Sequence, residues 1–226
     1  MKQIIVFDLD DTLYDELTYV DSGFRAVARL AEREGWITFS VAYAFMRERL
    51  LGGRGRIFDD LLLQFSCYSQ LNVRRCLSAY RLHKPEIQLY PEAEAGLRRF
   101  RKFPLYIVTD GNKIVQQSKL TALGVPERVR RCLVTHRFGV RNAKPSPYCF
   151  LRICEWEQVS PGQVLYVGDN PRKDFVGIKP LGFRTVRILT GQHRHVRLPD
   201  AYEADCTIGS LAEFDVELID FMRGVK

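Results

Sequence analysis

The sequence predicts an α/β protein built on a doubly wound parallel sheet, with a helical insertion after the first strand. Three observations support this prediction. An apolar segment near the N-terminus has the composition of a strand that is buried on both faces. About seventy residues with helical periodicity follow it, and strands then alternate with helices to the C-terminus, as in sheets with parallel pairing. We therefore predict a Rossmann-like core of residues 1–14 and 86–226 and a helical domain of residues 15–85.

The individual elements follow from changes in hydrophobic period along the chain. The first strand, residues 3–7, ends where three carboxylates occur within four positions, a composition that a buried strand excludes. In the insertion, a helical period predicts helices over residues 15–34, 41–51, 57–65 and 71–82. In the rest of the chain we predict strands over residues 105–108, 132–135, 164–167 and 184–189, and helices over residues 92–103, 113–123, 147–157 and 211–222.

The composition is that of an ordinary globular protein. Hydrophobic residues make up 46% of the 226 residues and charged residues 27%, which excludes a disordered or collagen-like chain. No apolar run approaches the ~20 residues that span a bilayer, and the N-terminus turns acidic too early for a signal peptide. The scattered cysteines form no C-x-x-C pair, so we expect reduced thiols and a soluble, cytoplasmic protein.

The net charge of +7 favours anionic partners through long-range attraction. Arginine and lysine are spread along the chain, however, and the densest basic stretch, residues 128–141, contains a single aromatic residue, Phe138. Surfaces that bind nucleic acid usually show a clustered basic patch. We therefore expect a small anion as the partner, and neither nucleic acid nor a membrane.

Polar side chains follow four of the predicted strands, at the point where each strand ends or in the loop beyond it. In an open parallel sheet, ligands bind outside the carboxyl ends of the strands, so we expect these side chains to lie at one edge. Any single loop of this kind can be a helix cap or a turn. Carboxylates that converge from two buried strands nevertheless repel each other unless a cation or protons neutralise them. The residues are Asp8, Asp10, Thr12, Thr109, Asp110, Gly111, Asn112, Lys144, Asp169 and Asp174.

Four segments of the sequence resemble the signature motifs of the haloacid dehalogenase superfamily, in that family's order. They are the run from Val6 to Leu13, then Thr109, then Lys144, and the run from Gly168 to Asp174. The helical insertion lies where the superfamily carries its C1-type cap. The resemblance implies a magnesium-dependent phosphatase that acts on a small phosphorylated metabolite. A sugar phosphate is the favoured substrate, with a nucleoside monophosphate or phosphoglycolate as alternatives.

The resemblance also implies a role for each motif residue. Asp8 would be the nucleophile that forms an aspartyl-phosphate, Asp10 would protonate the leaving oxygen and then deprotonate a water, and Lys144 would offset negative charge. Magnesium would be held by Asp8, the backbone carbonyl of Asp10 and Asp169, while Asp174 would orient Lys144 or a water on the metal. The substrate-binding residues would be Thr12, Thr109, Asp110, Gly111 and Asn112, with the side chain of Asp110 turned away from the phosphate.

Two further segments are open to a functional and a structural interpretation. Arg54 and Arg56 lie in a Gly- and Arg-bearing loop of the insertion and could bind a second anionic group of the substrate, or could belong to a surface turn. His193 and His195 form an H-x-H segment with no third candidate ligand nearby, so an exposed loop is favoured over a metal site.

Asp10 distinguishes among the branches of the superfamily. A halide leaves carbon without a proton, and the true dehalogenases lack an acid at this position, so the presence of Asp10 favours phosphoryl chemistry. A sugar phosphomutase with the same motifs remains an alternative. A non-catalytic binding protein is a second one, although its expected signature is the loss of a motif carboxylate. The sequence leaves monomer and homodimer open.

Overall fold

A computed structural model describes residues 2–222 and residue 224 of the chain. The chain divides into two structural units. One contains residues 1–16 and 88–226 and is called the core unit below, and the other contains residues 17–87 and is called the helical unit. Both boundaries between the units lie two residues further along the chain than those expected from the sequence. The functional assignment of the helical unit as a cap stays a prediction.

The helical unit is built on four helices that bury one apolar face each. In α1, residues Val20, Phe24, Val27 and Ala31 recur every three or four positions and are all buried. Gly23 lies on the same helix, where a Cβ atom would approach the ring of Tyr80 to 2.4 Å, so only glycine allows this close packing. The helices are α1 (Glu16–Arg33), α2 (Phe39–Leu50), α3 (Ile57–Gln64) and α4 (Gln70–Leu82).

The core unit contains a six-stranded sheet in which every neighbouring pair is parallel. Its strands are β1 (Ile4–Phe7), β2 (Leu105–Thr109), β3 (Arg131–Val134), β4 (Val164–Gly168), β5 (Arg184–Ile188) and β6 (Cys206–Ile208). The spatial order is β3-β2-β1-β4-β5-β6, so the chain winds outward in both directions from the centre. The predicted doubly wound α/β class is therefore confirmed. The order reverses between β1 and β4, which places the ligand crevice of such sheets at their carboxyl ends.

The central strands form because their side chains are apolar on both faces. All residues of β1 are at most 1% exposed, and β2 and β4 are buried along their full length. Ile5 is paired with Leu105 of β2 on one side and with Leu165 of β4 on the other, so apolar residues lie side by side across the three strands. Burying side chains of this size stabilises the fold by about 1.5–3 kcal/mol each. A polar site can therefore begin only where these strands end.

Four helices flank the sheet: α5 (Pro91–Arg99), α6 (Lys113–Ala122), α7 (Tyr148–Glu157) and α8 (Val216–Met222). Asn112 caps α6 by accepting hydrogen bonds from the backbone N–H groups of Ile114 and Val115 at 3.0 and 3.3 Å. The cap fixes the start of α6 directly after β2. Side chains on the first two turns of α6 are thereby held next to the strand ends.

Two elements near the C-terminus differ from the sequence prediction. The last helix begins at Val216 instead of residue 211, because the Asp215 carboxylate accepts the backbone N–H of Leu218, as an N-cap residue does. The sequence also did not predict β6, which has three residues and is only partly buried, too short for a clear period.

Within residues 2–222 and 224, no helix combines the length and the apolar composition needed to cross a membrane. All six cysteines are free thiols.

Candidate active site

Three buried carboxylates meet at the carboxyl ends of β1 and β4. Asp8 and Asp169 each directly follow one of these strands, and Asp174 comes from the turns after β4. One carboxylate oxygen of each residue lies within 4.8 Å of the other two. All three side chains are buried. The structure thus brings together three acidic residues that the sequence placed at this edge.

Lys144 neutralises part of this negative charge. Its Nζ atom donates hydrogen bonds to Asp8 Oδ1 at 2.8 Å, to Asp174 Oδ1 at 2.7 Å and to the hydroxyl of Tyr166 at 2.9 Å. An ammonium group has three N–H donors, so this buried lysine is fully satisfied. Burial alone would lower the pKa of Lys144, but Asp174 and Asp8 raise it well above its usual range. The lysine therefore remains charged.

The protonation of the three carboxylates is set by burial and by their mutual repulsion. Burial raises the pKa of Asp8 to about 7, with Lys144 opposing and Asp174 adding to the shift. Burial, Asp174 and Asp8 raise the pKa of Asp169 to about 9. For Asp174, burial also acts upward, but Lys144 and Lys173 outweigh it and lower the pKa. The neighbouring lysines are therefore not enough to keep all three carboxylates ionised.

The chemistry of the donors fits a hard divalent cation. All the candidate ligand atoms are carboxylate oxygens, the type that magnesium prefers, and the cluster contains no histidine or cysteine. Asp174 is already engaged: Oδ1 accepts from Lys144 and Tyr166, and Oδ2 accepts from the backbone N–H of Asn170 at 2.8 Å. Asp8 and Asp169 are therefore the better ligands, and Asp174 instead fixes the position of Lys144.

Asp10 lies in a different environment from Asp8. Its Oδ1 accepts hydrogen bonds from the hydroxyl of Tyr14 at 2.5 Å and from Lys119 Nζ at 2.7 Å. Its Oδ2 accepts from Gln116 Nε2 at 2.7 Å. Burial acts to raise the pKa of Asp10, but Lys119, with Tyr14 and Gln116, outweighs it and lowers the pKa. Asp8 and Asp10 are therefore each paired with a different buried lysine.

Thr109, at the end of β2, and Asp110, in the loop after it, have side chains that are hydrogen-bonded within the core unit. Thr109 Oγ1 accepts a hydrogen bond from Gln116 Nε2 at 2.6 Å. Asp110 Oδ1 accepts from Thr135 Oγ1 at 2.5 Å and from the backbone N–H of Lys144 at 3.1 Å, so its carboxylate ties this loop to the lysine. Gly111 has φ of 133°, a conformation that favours glycine. Phosphate recognition by the backbone of Asp110, Gly111 and Asn112 stays a prediction.

Thr12 and Asp11 belong to the turn that follows Asp10. Thr12 is fully buried, and its Oγ1 has no hydrogen-bond partner among the residues that the structure describes. Asp11 adopts φ of 53°, and its carboxylate accepts the backbone N–H groups of Glu16 at 3.0 Å and Gln192 at 3.2 Å. The loop after β5 is thus fastened to the first motif, a link that the sequence did not indicate.

Arg54 and Arg56 lie in the helical unit, between α2 and α3. Arg56 Nη2 donates to Asp59 Oδ1 at 3.2 Å. Both arginines line a cavity of about 290 Å³ inside this unit, together with Arg81 and apolar and aromatic side chains such as Phe58. Their predicted contact with a substrate stays a prediction.

The histidine pair does not belong to the acidic cluster. The backbone carbonyl of His193 accepts a hydrogen bond from the buried Arg187 at 2.9 Å, and Arg194 Nε lies 2.9 Å from His195 Nε2. Among the described residues, the group with metal-ligating potential is Asp8, Asp169 and Asp174. The contacts found for this segment are those of a loop anchored by its backbone.

Sequence reasoning missed the second set of residues around Asp10, namely Tyr14, Gln116 and Lys119. One signal was available: Gln116 and Lys119 are three positions apart on α6 and share its buried face, where a lysine needs a partner. The partner, Asp10, lies 109 positions away along the chain, so no local pattern identifies it.

Comparison with known proteins assigns the family. A family model described as haloacid dehalogenase-like hydrolase matches residues 2–182. A glyceraldehyde 3-phosphate phosphatase of Methanocaldococcus jannaschii is 30% identical over 232 residues, covering 98% of this chain and 97% of that protein. The chain therefore belongs to the haloacid dehalogenase-like hydrolases. The relatives that match this chain include proteins named as phosphatases.

Solved structures agree with this assignment. A HAD phosphatase from Thermococcus onnurineus superposes with a TM-score of 0.61 at 27% identity, covering 96% of this chain and 98% of that one. A 2-haloacid dehalogenase from Pseudomonas syringae superposes with a TM-score of 0.67 at 20% identity, covering 98% and 100% of the two chains. The second likeness concerns the fold alone.

Proposed function

We propose that this protein is a magnesium-dependent phosphatase that hydrolyses a small phosphomonoester through an aspartyl-phosphate on Asp8. The observation that carries the proposal is the position of the Asp8 carboxylate, which is buried beside Asp169 and accepts a hydrogen bond from Lys144 at 2.8 Å. A second carboxylate, Asp10, is held separately by Lys119. Two carboxylates in separate hydrogen-bonding environments can take separate roles, one as the nucleophile and the other as the proton donor.

Asp8, Asp169 and the backbone carbonyl of Asp10 would hold the magnesium ion. When bound, the ion offsets the repulsion between the Asp8 carboxylate and the negatively charged phosphoryl group. The fit rests on the oxygen donors and on the crowding of three carboxylates around one lysine. Asp174 supports the site indirectly, since it positions Lys144.

The reaction proceeds in two steps, and Asp10 gives up a proton in the first and takes one in the second. A carboxylate oxygen of Asp8 bonds to phosphorus while the bond to the leaving oxygen breaks, and Asp10 gives that oxygen its proton. In the second step Asp10 takes a proton from a water whose oxygen bonds to phosphorus. The bond between Asp8 and phosphorus then breaks and releases phosphate. Lys144 offsets the charge on Asp8 and the phosphoryl group throughout.

Asp10 separates this proposal from dehalogenation. An alkoxide is a poor leaving group and needs a proton, whereas a halide does not. The carboxylate of Asp10 is about one-fifth exposed, so it can reach a bound molecule. This residue therefore supports phosphoryl transfer within a family that also contains dehalogenases.

A sugar phosphate is the favoured substrate. Support comes from the relatives named as glyceraldehyde 3-phosphate phosphatases. Arg54 and Arg56, beside the cavity in the helical unit, are the proposed contacts for a further anionic or polar group. Phosphoglycolate and nucleoside monophosphates complete the set of substrates to compare.

Phosphate release from a panel of phosphomonoesters, with and without magnesium, tests the proposal. We expect magnesium-dependent release by the wild type, highest with a three-carbon sugar phosphate, and none by Asp8→Asn. Asp200→Asn, an exposed aspartate outside the site, is the matched control and should retain activity. Activity in Asp8→Asn would show that Asp8 is not the nucleophile. Interconversion of sugar phosphate isomers with little phosphate release would instead indicate a mutase.

A further inference from the structure

Five side chains of the core unit form a connected polar cluster around Asp10, called the Asp10 cluster below. Its members are Asp10, Tyr14, Glu16, Gln116 and Lys119. Lys119 is 3% exposed at its side chain and lies between two carboxylates, with Nζ 2.7 Å from Asp10 Oδ1 and 3.2 Å from Glu16 Oε1. Of these five residues, only Asp10 belongs to a motif identified from the sequence.

The hydrogen bonds of the cluster leave one acceptor position on Asp10. A carboxylate offers about four lone-pair directions, two on each oxygen. Oδ1 accepts from both Tyr14 and Lys119, whereas Oδ2 accepts from Gln116. Among the described residues no further donor to Asp10 is found. The remaining direction is therefore on Oδ2.

Gln116 is held more firmly than a surface glutamine. It is buried, and its Nε2 atom donates both to Asp10 Oδ2 and to Thr109 Oγ1, at 2.7 and 2.6 Å. The backbone of Gly111 packs against its side chain, where an added Cβ would lie 3.3 Å away. Gln116 thus joins the loop after β1 to the end of β2. A shift of this glutamine would move the Asp10 carboxylate directly.

We infer that Lys119 and Gln116 are positioning residues that fix the Asp10 carboxyl group so that Oδ2 carries the transferred proton. The inference rests on the proposed function, because it assumes that Asp10 acts on the leaving oxygen. In the first step the proton moves from Oδ2 to the leaving oxygen as the bond between that oxygen and phosphorus breaks. In the second step Oδ2 receives a proton from the attacking water as the bond between Asp8 and phosphorus breaks.

Substrates with different leaving groups separate positioning from a general structural role. An alkyl phosphate needs the proton from Asp10, whereas p-nitrophenyl phosphate releases a stable anion without one. For Lys119→Met and Gln116→Met we expect kcat/KM on the alkyl phosphate to fall ~10- to 100-fold, as for a misplaced catalytic group. On p-nitrophenyl phosphate, kcat/KM should change little, since it reports only the steps up to departure of the leaving group.

A second readout comes from rapid mixing with p-nitrophenyl phosphate. Hydrolysis of the aspartyl-phosphate still requires Asp10 as a base, so the variants should show a burst of p-nitrophenolate followed by slow turnover. A loss of stability alone produces no such burst. Lys119→Arg keeps the positive charge and should recover part of the activity on the alkyl phosphate.

Matched controls lie on the same helix. Lys113 and Gln117 are exposed on α6, and Lys113→Met and Gln117→Met should behave like the wild type with both substrates. If Lys119→Met does not fold, Gln116→Met and Lys119→Arg carry the test. An equal loss on both substrates, or no loss on either, overturns the inference while the wild type remains an active phosphatase. A wild type without phosphatase activity, or an active Asp8→Asn, overturns the proposed function instead.

Discussion

Asp8 and Asp10 are separated by one residue, yet they interact with different lysines. Lys144 reaches Asp8 from the loop before α7, and Lys119 reaches Asp10 from α6. The pKa of Asp8 is raised and that of Asp10 is lowered, which is the reverse of what a nucleophile and an acid require. A divalent cation beside Asp8 acts to lower its pKa, and a bound phosphate dianion acts to raise that of Asp10. Under the proposed function, a bound ion and substrate would therefore shift both pKa values in the directions that the two roles need.

Glu157, which lies outside the site, is another buried carboxylate whose pKa is set by burial and by neighbouring charged groups. Its buried carboxylate, at the end of α7, accepts hydrogen bonds from Tyr106, Arg130 and Lys2, the last as an ion pair of 2.6 Å. Burial acts to raise the pKa of Glu157, but Lys2, Tyr106 and Arg130 outweigh it and lower the pKa from 4.5 to about 2. The ionised group therefore stabilises the fold.

For Glu157→Gln we expect the free energy of unfolding at pH 7 to fall by roughly 2 kcal/mol, since the pKa shift links ionisation to folding. Because the folded pKa is depressed, this contribution is fully present above pH ~4.5 and is lost as the pH falls toward ~2. Urea unfolding as a function of pH measures it. Glu155→Gln, which removes an exposed pair with Arg152, should cost at most about 1 kcal/mol. Equal effects of the two substitutions would contradict the assignment.

At the scale of elements, the loop after β5 is tightly packed against the turn after β1. Gly191 has φ of 60°, and a Cβ atom there would approach Asp11 Cγ to 2.1 Å. The Thr190 hydroxyl donates to the backbone carbonyl of Asp11 in the same contact. Any side chain at position 191 must therefore displace the turn that follows Asp10.

Gly191→Ala should lower kcat/KM by about tenfold or more, because small displacements of catalytic groups are costly. It should also lower the free energy of unfolding by about 1–3 kcal/mol. Gly182→Ala is the matched control: its φ of 88° also disfavours alanine, but no atom lies within 4 Å of an added Cβ. Steady-state kinetics and thermal unfolding of both variants separate the clash from the backbone strain. Equal kinetic losses would show that contact with Asp11 is unimportant.

The length and packing of these elements explain which parts of the fold and of the site could be predicted from the sequence. β1 and β4 were predictable because they are apolar on both faces and end abruptly at carboxylates, and their parallel pairing places Asp8 and Asp169 together. β6 was not, because three residues carry too little periodicity. Lys119 could be noticed as a lysine on a buried helical face, but its partner Asp10 depends on how α6 packs after β2. Contacts of such long sequence separation are fixed by tertiary packing and leave no local signal.

At the scale of the whole molecule, a chain of net charge +7 contains a buried acidic site. The overall positive charge favours the approach of anionic substrates. The local cluster, in contrast, attracts a cation, because it contains three carboxylates and Lys144 forms ion pairs with only two of them. The two charge distributions suit a reaction that needs a metal ion and a phosphate ester at the same place.

Magnesium should therefore stabilise the folded protein. Binding to the folded state alone adds about 2.7 kcal/mol to the free energy of unfolding when the ion is at 100 times its dissociation constant. Thermal unfolding of the wild type with and without magnesium measures this effect, with sodium chloride at equal ionic strength as the control. We expect Asp169→Asn to lose most of the magnesium-dependent increase in Tm. An equal increase in both proteins would place the ion elsewhere.

The most direct test of the proposed function is to trap the phosphorylated nucleophile. Wild-type protein turning over a phosphomonoester with magnesium would be quenched in acid and reduced with borohydride, which converts an aspartyl-phosphate to homoserine. Peptide mapping by mass spectrometry would then locate the change. We predict homoserine at position 8, dependent on substrate and magnesium. Turnover with an unmodified Asp8, or modification at another carboxylate, would contradict Asp8 as the nucleophile.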